Sequence, residues 1–313
     1  MSQSFLVKIR FILVSLLLGS STPAFANEPL PVVVSFSILA DMVRQVGGEH
    51  VDVTSLVGPN SDAHLFDPTP ADARRLATAK LVVVNGLGFE GWMNRLVKSS
   101  GYRGPVVVAS KGVKSIPMAE KKKEDGHGHR HSHNSADPHA WQNLSNARRY
   151  VENIRVALTQ AMPGQAAVFE ARASDYLKQI DALDQRTRAM IGAVAPERRR
   201  VITSHDAFGY FATAYGVKFY PLQGLSTGSE ASAADVARIV NEIKKNKVTA
   251  IFAENISDPR VLERVARDSG AVVGGTLYAD ALSLPGTQAD TYLKMFEHNV
   301  STIVKGISAT SQP

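Results

Sequence analysis

The chain has 313 residues, with 35 Lys plus Arg against 29 Asp plus Glu and no cysteine. Its formal charge of +6 is spread along the chain, clustering only at 121–123 and 198–200, so it lacks the dense, aromatic-interleaved basic stripe that nucleic-acid binding needs. Without cysteine, disulfides and thiolate metal sites are excluded, and imidazole and carboxylate remain as the strong metal ligands.

Lys8 and Arg10 precede an apolar run over 11–18, and Ala24-Phe25-Ala26 follows as a small-x-small cleavage motif. This pattern predicts a signal peptide over 1–26 and a mature chain starting at Asn27. A membrane anchor would need ~20 apolar residues, and this run breaks at 19–23. Cleavage lowers the formal charge to +4, because Lys8 and Arg10 leave and no acid does. No cysteine stands at the cleavage point to take a lipid, so the product is expected to be soluble and, in a bacterium with two membranes, periplasmic. About 290 residues bury a large core without disulfides.

The mature sequence alternates short apolar runs with amphipathic stretches, the pattern of α/β units with parallel strands. Strands are expected at 31–36, 51–57, 81–85 and 105–109, with helices at 38–46 and 71–79. The second of these helices has Thr69 placed to cap, Pro70 at its first position and Asp72 where a capping box wants an acid. A second half repeats the style, with strands at 201–204, 217–220, 248–253 and 271–274 and helices at 233–245, 259–268 and 287–305. Residues 143–194 contain no strand candidate, break at Pro163-Gly164, and then run helically from 165 to 194. Leu177, Ile180, Leu183 and Met190 give that run an apolar stripe. At 1.5 Å per residue it is ~45 Å long, either a long core helix or, as fits better, a stiff connection between two lobes. The expected domains are therefore a lobe over 27–163, a linking helix over 164–195 and a lobe over 196–313.

Residues 118–137 are unlike the rest. After Lys121-Lys122-Lys123, His127, His129, His131 and His133 alternate with Gly, Arg and Ser, and almost nothing apolar is present. Such a segment buries nothing and reads as a mobile surface loop. It is either a low-affinity metal collector or a solvated insert. Of the other histidines, His50 and His298 have unremarkable surroundings and read as surface or boundary residues.

His64, His139 and His205 sit differently. His64 lies in the loop after the strand ending at 57, His139 precedes helical sequence, and His205 follows the strand 201–204, with a helix expected over 206–215. Asp280 follows the strand-like 271–277. Ligands gather at the carboxyl ends of strands in open α/β sheets. Both His64 to His205 and His139 to Asp280 span 141 residues, an offset that two similar lobes would produce. Position alone leaves a metal site and scattered polar loop residues both open. Given a site, three imidazoles and one carboxylate provide four-coordination suited to zinc, whereas manganese would favour a second carboxylate.

The segments SDAHLFDPTP (61–70), DPHAW (137–141) and HDAFGY (205–210), with AEN (253–255) and YADAL (278–282), resemble the ligand motifs of the zinc/manganese ABC-transporter solute-binding proteins. The resemblance covers essentially the whole mature chain. It implies two Rossmann-like (β/α)4 lobes joined by a single long rigid helix. The metal would lie in the cleft between them, held by His64 and His139 from the first lobe and His205 and Asp280 from the second. It further implies Zn2+ carried as transported ligand, an ABC membrane permease as partner, and a monomer. In this family a glutamate at the third position goes with manganese and a histidine with zinc, so His205 implies zinc. The chain departs from some zinc-binding members in lacking a cysteine pair and in its short His-rich loop.

Other readings are a periplasmic zinc chaperone or sensor, a manganese-specific binding protein, or a zinc hydrolase. The last lacks support, since no His-Glu-x-x-His occurs and the alternating histidines follow no strand. Asp67, Asp137, Glu230 and Glu254 are candidates for orienting the ligand rings. Free imidazoles would lose zinc as pH drops below about 6.5.

Overall fold

The computed structural model describes residues 28–117, 136–224, 227, 232–246, 248 and 250–309. The signal peptide over 1–26, most of the 118–137 loop with its four histidines, and Glu230 lie outside the described residues. The first lobe holds β1 (Leu30–Phe36), α1 (Ser37–Gly47), β2 (Val51–Val57), α2 (Pro70–Thr78), β3 (Leu81–Val84), α3 (Met93–Ser100) and β4 (Val106–Val108). Then come α4 (Leu144–Ala161) and α5 (Ala166–Gly192). The second lobe holds β5 (Arg200–Thr203), α6 (Gly209–Tyr215), β6 (Lys218–Pro221), α7 (Ala233–Asn246), β7 (Ala250–Glu254), α8 (Arg260–Ser269), β8 (Val272–Leu277) and α9 (Tyr292–Ala309).

Both sheets are parallel and share one topology, β2-β1-β3-β4 and β6-β5-β7-β8. The central strands are mostly apolar because helices cover both faces, and every residue of β3 and β7 is buried. At the start of α2 the expected capping box forms, with Thr69 Oγ1 accepting from Asp72 N–H and Asp72 Oδ2 accepting from Thr69 N–H. Asn143 caps α4 in the simpler way, accepting from Ser145 N–H at 2.9 Å.

The two-lobe architecture is as expected, and α5 is its seam. Its 27 residues reach ~40 Å. The buried stripe is Phe169, Ala173, Tyr176, Ile180, Leu183, Thr187 and Ile191. Leu177 is only partly buried and Met190 is exposed, because the stripe follows the face that packs on α1 and α4 at one end and on α6 and α9 at the other. One continuous hydrophobic cluster therefore runs from β1 and α1 through α4 and α5 into α6 and α9. A second, smaller cluster under α7 and α8 belongs to the second lobe alone.

Two helix starts differ from the sequence expectation. Residues 204–208 bend before α6, so it begins at Gly209 and not at 206. Local bonds over 284–290, among them Thr287 Oγ1 to Leu284 O and Gly286 N–H to Asp290 Oδ2, compete with helix and delay α9 to Tyr292. No helix of the described residues is long and apolar enough to cross a membrane.

Candidate metal centre

His64, His139, His205 and Asp280 come together between the lobes, each offering one ligand atom, and these atoms lie within 4.8 Å of one another. His64 Nε2 is 3.3 Å from His139 Nε2 and 3.1 Å from Asp280 Oδ2. His205 Nε2 is also 3.1 Å from Asp280 Oδ2, and His139 Nε2 is 3.6 Å from Asp280 Oδ1. The side chains of His139, His205 and Asp280 are wholly buried, and that of His64 is 7% exposed. Among the described residues no other group of His, Asp and Glu of this kind forms.

Each of these side chains is held by its own backbone turn. After β2 the chain turns through Asn60, whose φ of 51° is left-handed. His64 N–H then donates to Asp62 Oδ1 at 2.8 Å, and Trp92 Nε1–H grips Ala63 O at 2.9 Å. The same Asp-x-His device recurs at His139, whose N–H donates to Asp137 Oδ1 at 2.9 Å. Asp137 Oδ1 also lies 2.8 Å from His139 Nδ1, which leaves Nε2 to face the cluster. Asn85, at the end of β3, donates to Pro138 O at 2.9 Å and accepts from Tyr150 Oη–H, fixing the turn from behind.

In the second sheet, His205 and Glu254 leave the carboxyl ends of β5 and β7. These adjacent strands flank the point where the strand order reverses, the place where such sheets gather ligands. Glu254 accepts from His205 N–H at 3.0 Å, and its Oε2 lies 2.5 Å from His205 Nδ1. Asp280 follows β8, and the preceding Tyr278 is tied to α9 by Asn299, which accepts from its N–H and donates to its C=O. The equal offsets of 141 residues have one structural cause and one coincidence. His139 and Asp280 each follow the fourth strand of a lobe, whereas His64 follows a second strand and His205 a first.

Of the residues expected to orient the rings, Asp137 and Glu254 do so. Asp67 does not: it is exposed, and the carboxylate beside His64 is Asp62, which accepts from the His64 backbone N–H and not from its ring. The repeat of Asp-x-His at 62–64 and 137–139 is the sequence signal that singles out Asp62. His50 packs edge-on against Phe169 and His298 meets Thr276 O at 3.0 Å, both half-buried and away from the cluster.

The electrostatics follow from burial against pairing. Burial opposes charge on His139, but Asp280 and Asp137 outweigh it and raise its pKa to about 9. His205 is raised well above its ordinary value in the same way, by Glu254 and Asp280 against burial. Burial likewise opposes charge on Asp280, yet His139 and His205 hold its carboxyl well below the usual range. Three neutral imidazoles and a carboxylate around one point could hold a divalent cation in place of those protons.

The family profile described as "Zinc-uptake complex component A periplasmic" (ZnuA) matches residues 32–306. The manganese-binding lipoprotein MntA of Halalkalibacterium halodurans is 33% identical over 282 residues, covering 90% of each chain. The zinc-binding protein TroA of Treponema pallidum is 33% identical over 296 residues, covering 93% of this chain and 92% of its own. The solved structure of periplasmic zinc-binding TroA superimposes with a TM-score of 0.81 at 32% identity, over 90% of this chain and 99% of that one. The chain therefore belongs to this zinc-uptake family, the metal-binding substrate-binding proteins that serve ABC importers, and is not an enzyme.

Proposed function

We propose that this protein captures Zn2+ through His64, His139, His205 and Asp280 and delivers it to the permease of an ABC importer. The observation that carries the reading is the convergence of three imidazole Nε2 atoms on one carboxylate, with histidine and not a carboxylate at 205. Bonds of ~2.05 Å to a tetrahedral ion place ligand atoms ~3.3 Å apart. The closest separations, 3.1, 3.1, 3.3 and 3.6 Å, lie near that value, and all four ligand atoms fall within 4.8 Å of one another. A size match alone would admit other divalent ions, so the donor type decides. Nitrogen-rich sites suit zinc, and oxygen-rich ones suit manganese, the metal in MntA's name. Near-complete burial leaves no open position for a reacting water, as befits a carrier.

The cleaved signal peptide over 1–26 and the lobe boundaries at 163–164 and 195–196 are part of this reading, as is a soluble periplasmic monomer. MntA is named a lipoprotein. This sequence contains no cysteine to carry a thioether-linked lipid. The histidines at 127, 129, 131 and 133 are read as an accessory collector that takes up zinc or receives it from a periplasmic chaperone. Radiolabelled uptake tests the transport role: cells lacking the protein lose high-affinity zinc import and keep manganese import. Loss of manganese import with zinc import intact would contradict the assignment.

A further inference from the structure

An ion leaves a buried four-ligand site only when a ligand swings away. His139, His205 and Asp280 are wholly buried, and His64, at 7% exposure, alone has an edge toward solvent. The turn that carries His64 is thus the least obstructed way out, and three bonds tie that turn to the second lobe. Asn60 N–H donates to Leu282 O at 2.9 Å, and Thr227 Oγ1–H donates to Asp62 Oδ2. The third tie joins two side chains: Asn60 Oδ1 accepts from Asn255 Nδ2–H at 3.0 Å.

Asn255 is well placed to hold that turn. It follows Glu254, the carboxylate beside His205, and its own N–H donates to Leu277 O, at the end of β8. From this base Nδ2–H also donates to Ala281 O at 3.2 Å, in the residue after Asp280. One amide nitrogen therefore spends both hydrogens on the turns of two ligands from opposite lobes. The Ala281 carbonyl decides which way the amide lies, because turning it over would set oxygen against oxygen. Asn255 Oδ1 is buried without a hydrogen-bond partner among the described residues, so the side chain acts through its N–H groups. Position 60 must then offer an acceptor. Its φ of 51° is left-handed, which asparagine tolerates, and its carboxamide supplies the oxygen. Glycine would meet the first need and not the second.

We propose that Asn255 is a positioning residue that sets how long the bound ion is retained, by holding the His64 turn against the Asp280 turn. The bond from Asn255 to Asn60 is made with the site closed and is broken when the His64 turn swings out. Losing it speeds release more than it alters capture. The role rests on the four-ligand reading above, and the choice of zinc over manganese does not enter it.

The test uses the full mature protein carrying one Zn2+, mixed rapidly with excess chelator to give the release rate; mixing metal-free protein with Zn2+ gives the capture rate. Asn60→Gly keeps the left-handed turn and the bond to Leu282 O while removing the acceptor, and Asn255→Ala removes the donor. Asn60→Gly speeds release about fivefold and Asn255→Ala at least as much, with capture changed less than about twofold. The double variant releases less than about twofold faster than Asn255→Ala alone, because both substitutions remove the same bond. Asn60→Asp, which restores an acceptor oxygen, slows release relative to Asn60→Gly. A merely structural role would lower thermal stability and leave the release rate alone. Release within about twofold of the unaltered protein in both single variants, or effects that multiply in the double variant, would overturn the inference. Should Asn255→Ala not fold, Asn60→Gly against Asn60→Asp decides it by the same rate. If His205→Ala holds zinc as tightly as the unaltered protein, the four-ligand reading fails first and this inference with it.

Discussion

Zinc entering this site has to expel protons. Although burial disfavours the charged ring, Asp280 and Asp137 hold His139 at about 9, and His205 is raised well above its ordinary value beside Glu254 and Asp280. Around pH 7.5 the His139 ring is protonated before metal arrives, and displacing that proton costs about 2 kcal/mol, or ~30-fold in affinity. That proton alone makes affinity change about tenfold per pH unit between roughly pH 8 and 6, and His205, shifted in the same direction, steepens the dependence. The window is thus higher than the one near 6.5 expected for free imidazoles. Calorimetric titration in buffers of different ionisation enthalpy counts the protons: at least one leaves per zinc. A count near zero, with flat affinity over that range, would refute the electrostatic account. The same shift governs the metal-free protein. The folded pKa of His139 is raised, so its contribution to stability is full below 6.5 and is lost as pH rises to about 9. The metal-free melting temperature should fall across that window while the gain on adding zinc grows.

Three further outcomes follow from the same geometry. His205→Ala lowers zinc affinity by at least about 100-fold, whereas His298→Ala, half-buried on α9, changes it less than about twofold; equal losses would break the four-ligand assignment. Deleting residues 126–133 leaves the tight zinc site intact and removes only weaker equivalents, and loss of the tight site on titration would contradict this. Because one core runs through both lobes and α5, zinc changes the radius of gyration by less than about 1 Å in solution scattering. A change of several ångströms would show a wide hinge.

The fold was legible where a residue acts within its own element. The Thr69 and Asp72 capping box, the apolar central strands and the long helix after Pro163-Gly164 depend on spacing along the chain, and all are present. The clustering of four side chains was legible in part, because strand ends are ligand-gathering places and His64, His205 and Asp280 lie just beyond such ends. What the sequence conceals is every contact whose partner lies in the other lobe. Met190 has helical spacing but points away from the packed face, since that face is chosen by α6 and α9. Asp67 and Asp62 are alike by type and nearness to His64, and only the Asp-x-His spacing shared with 137–139 marks Asp62, whose Oδ1 accepts from His64 N–H. Nothing in the sequence marks Gln142, which is buried and donates to Ala279 O, a carbonyl 137 positions away.

The central claim is that His64, His139, His205 and Asp280 hold zinc as cargo. Metal analysis of the protein taken from its own compartment, without added metal or chelator, tests it most directly. One zinc per chain, lost when His205 is replaced by Ala, is the predicted result. Stoichiometric manganese or iron in that preparation, with zinc absent, would contradict it.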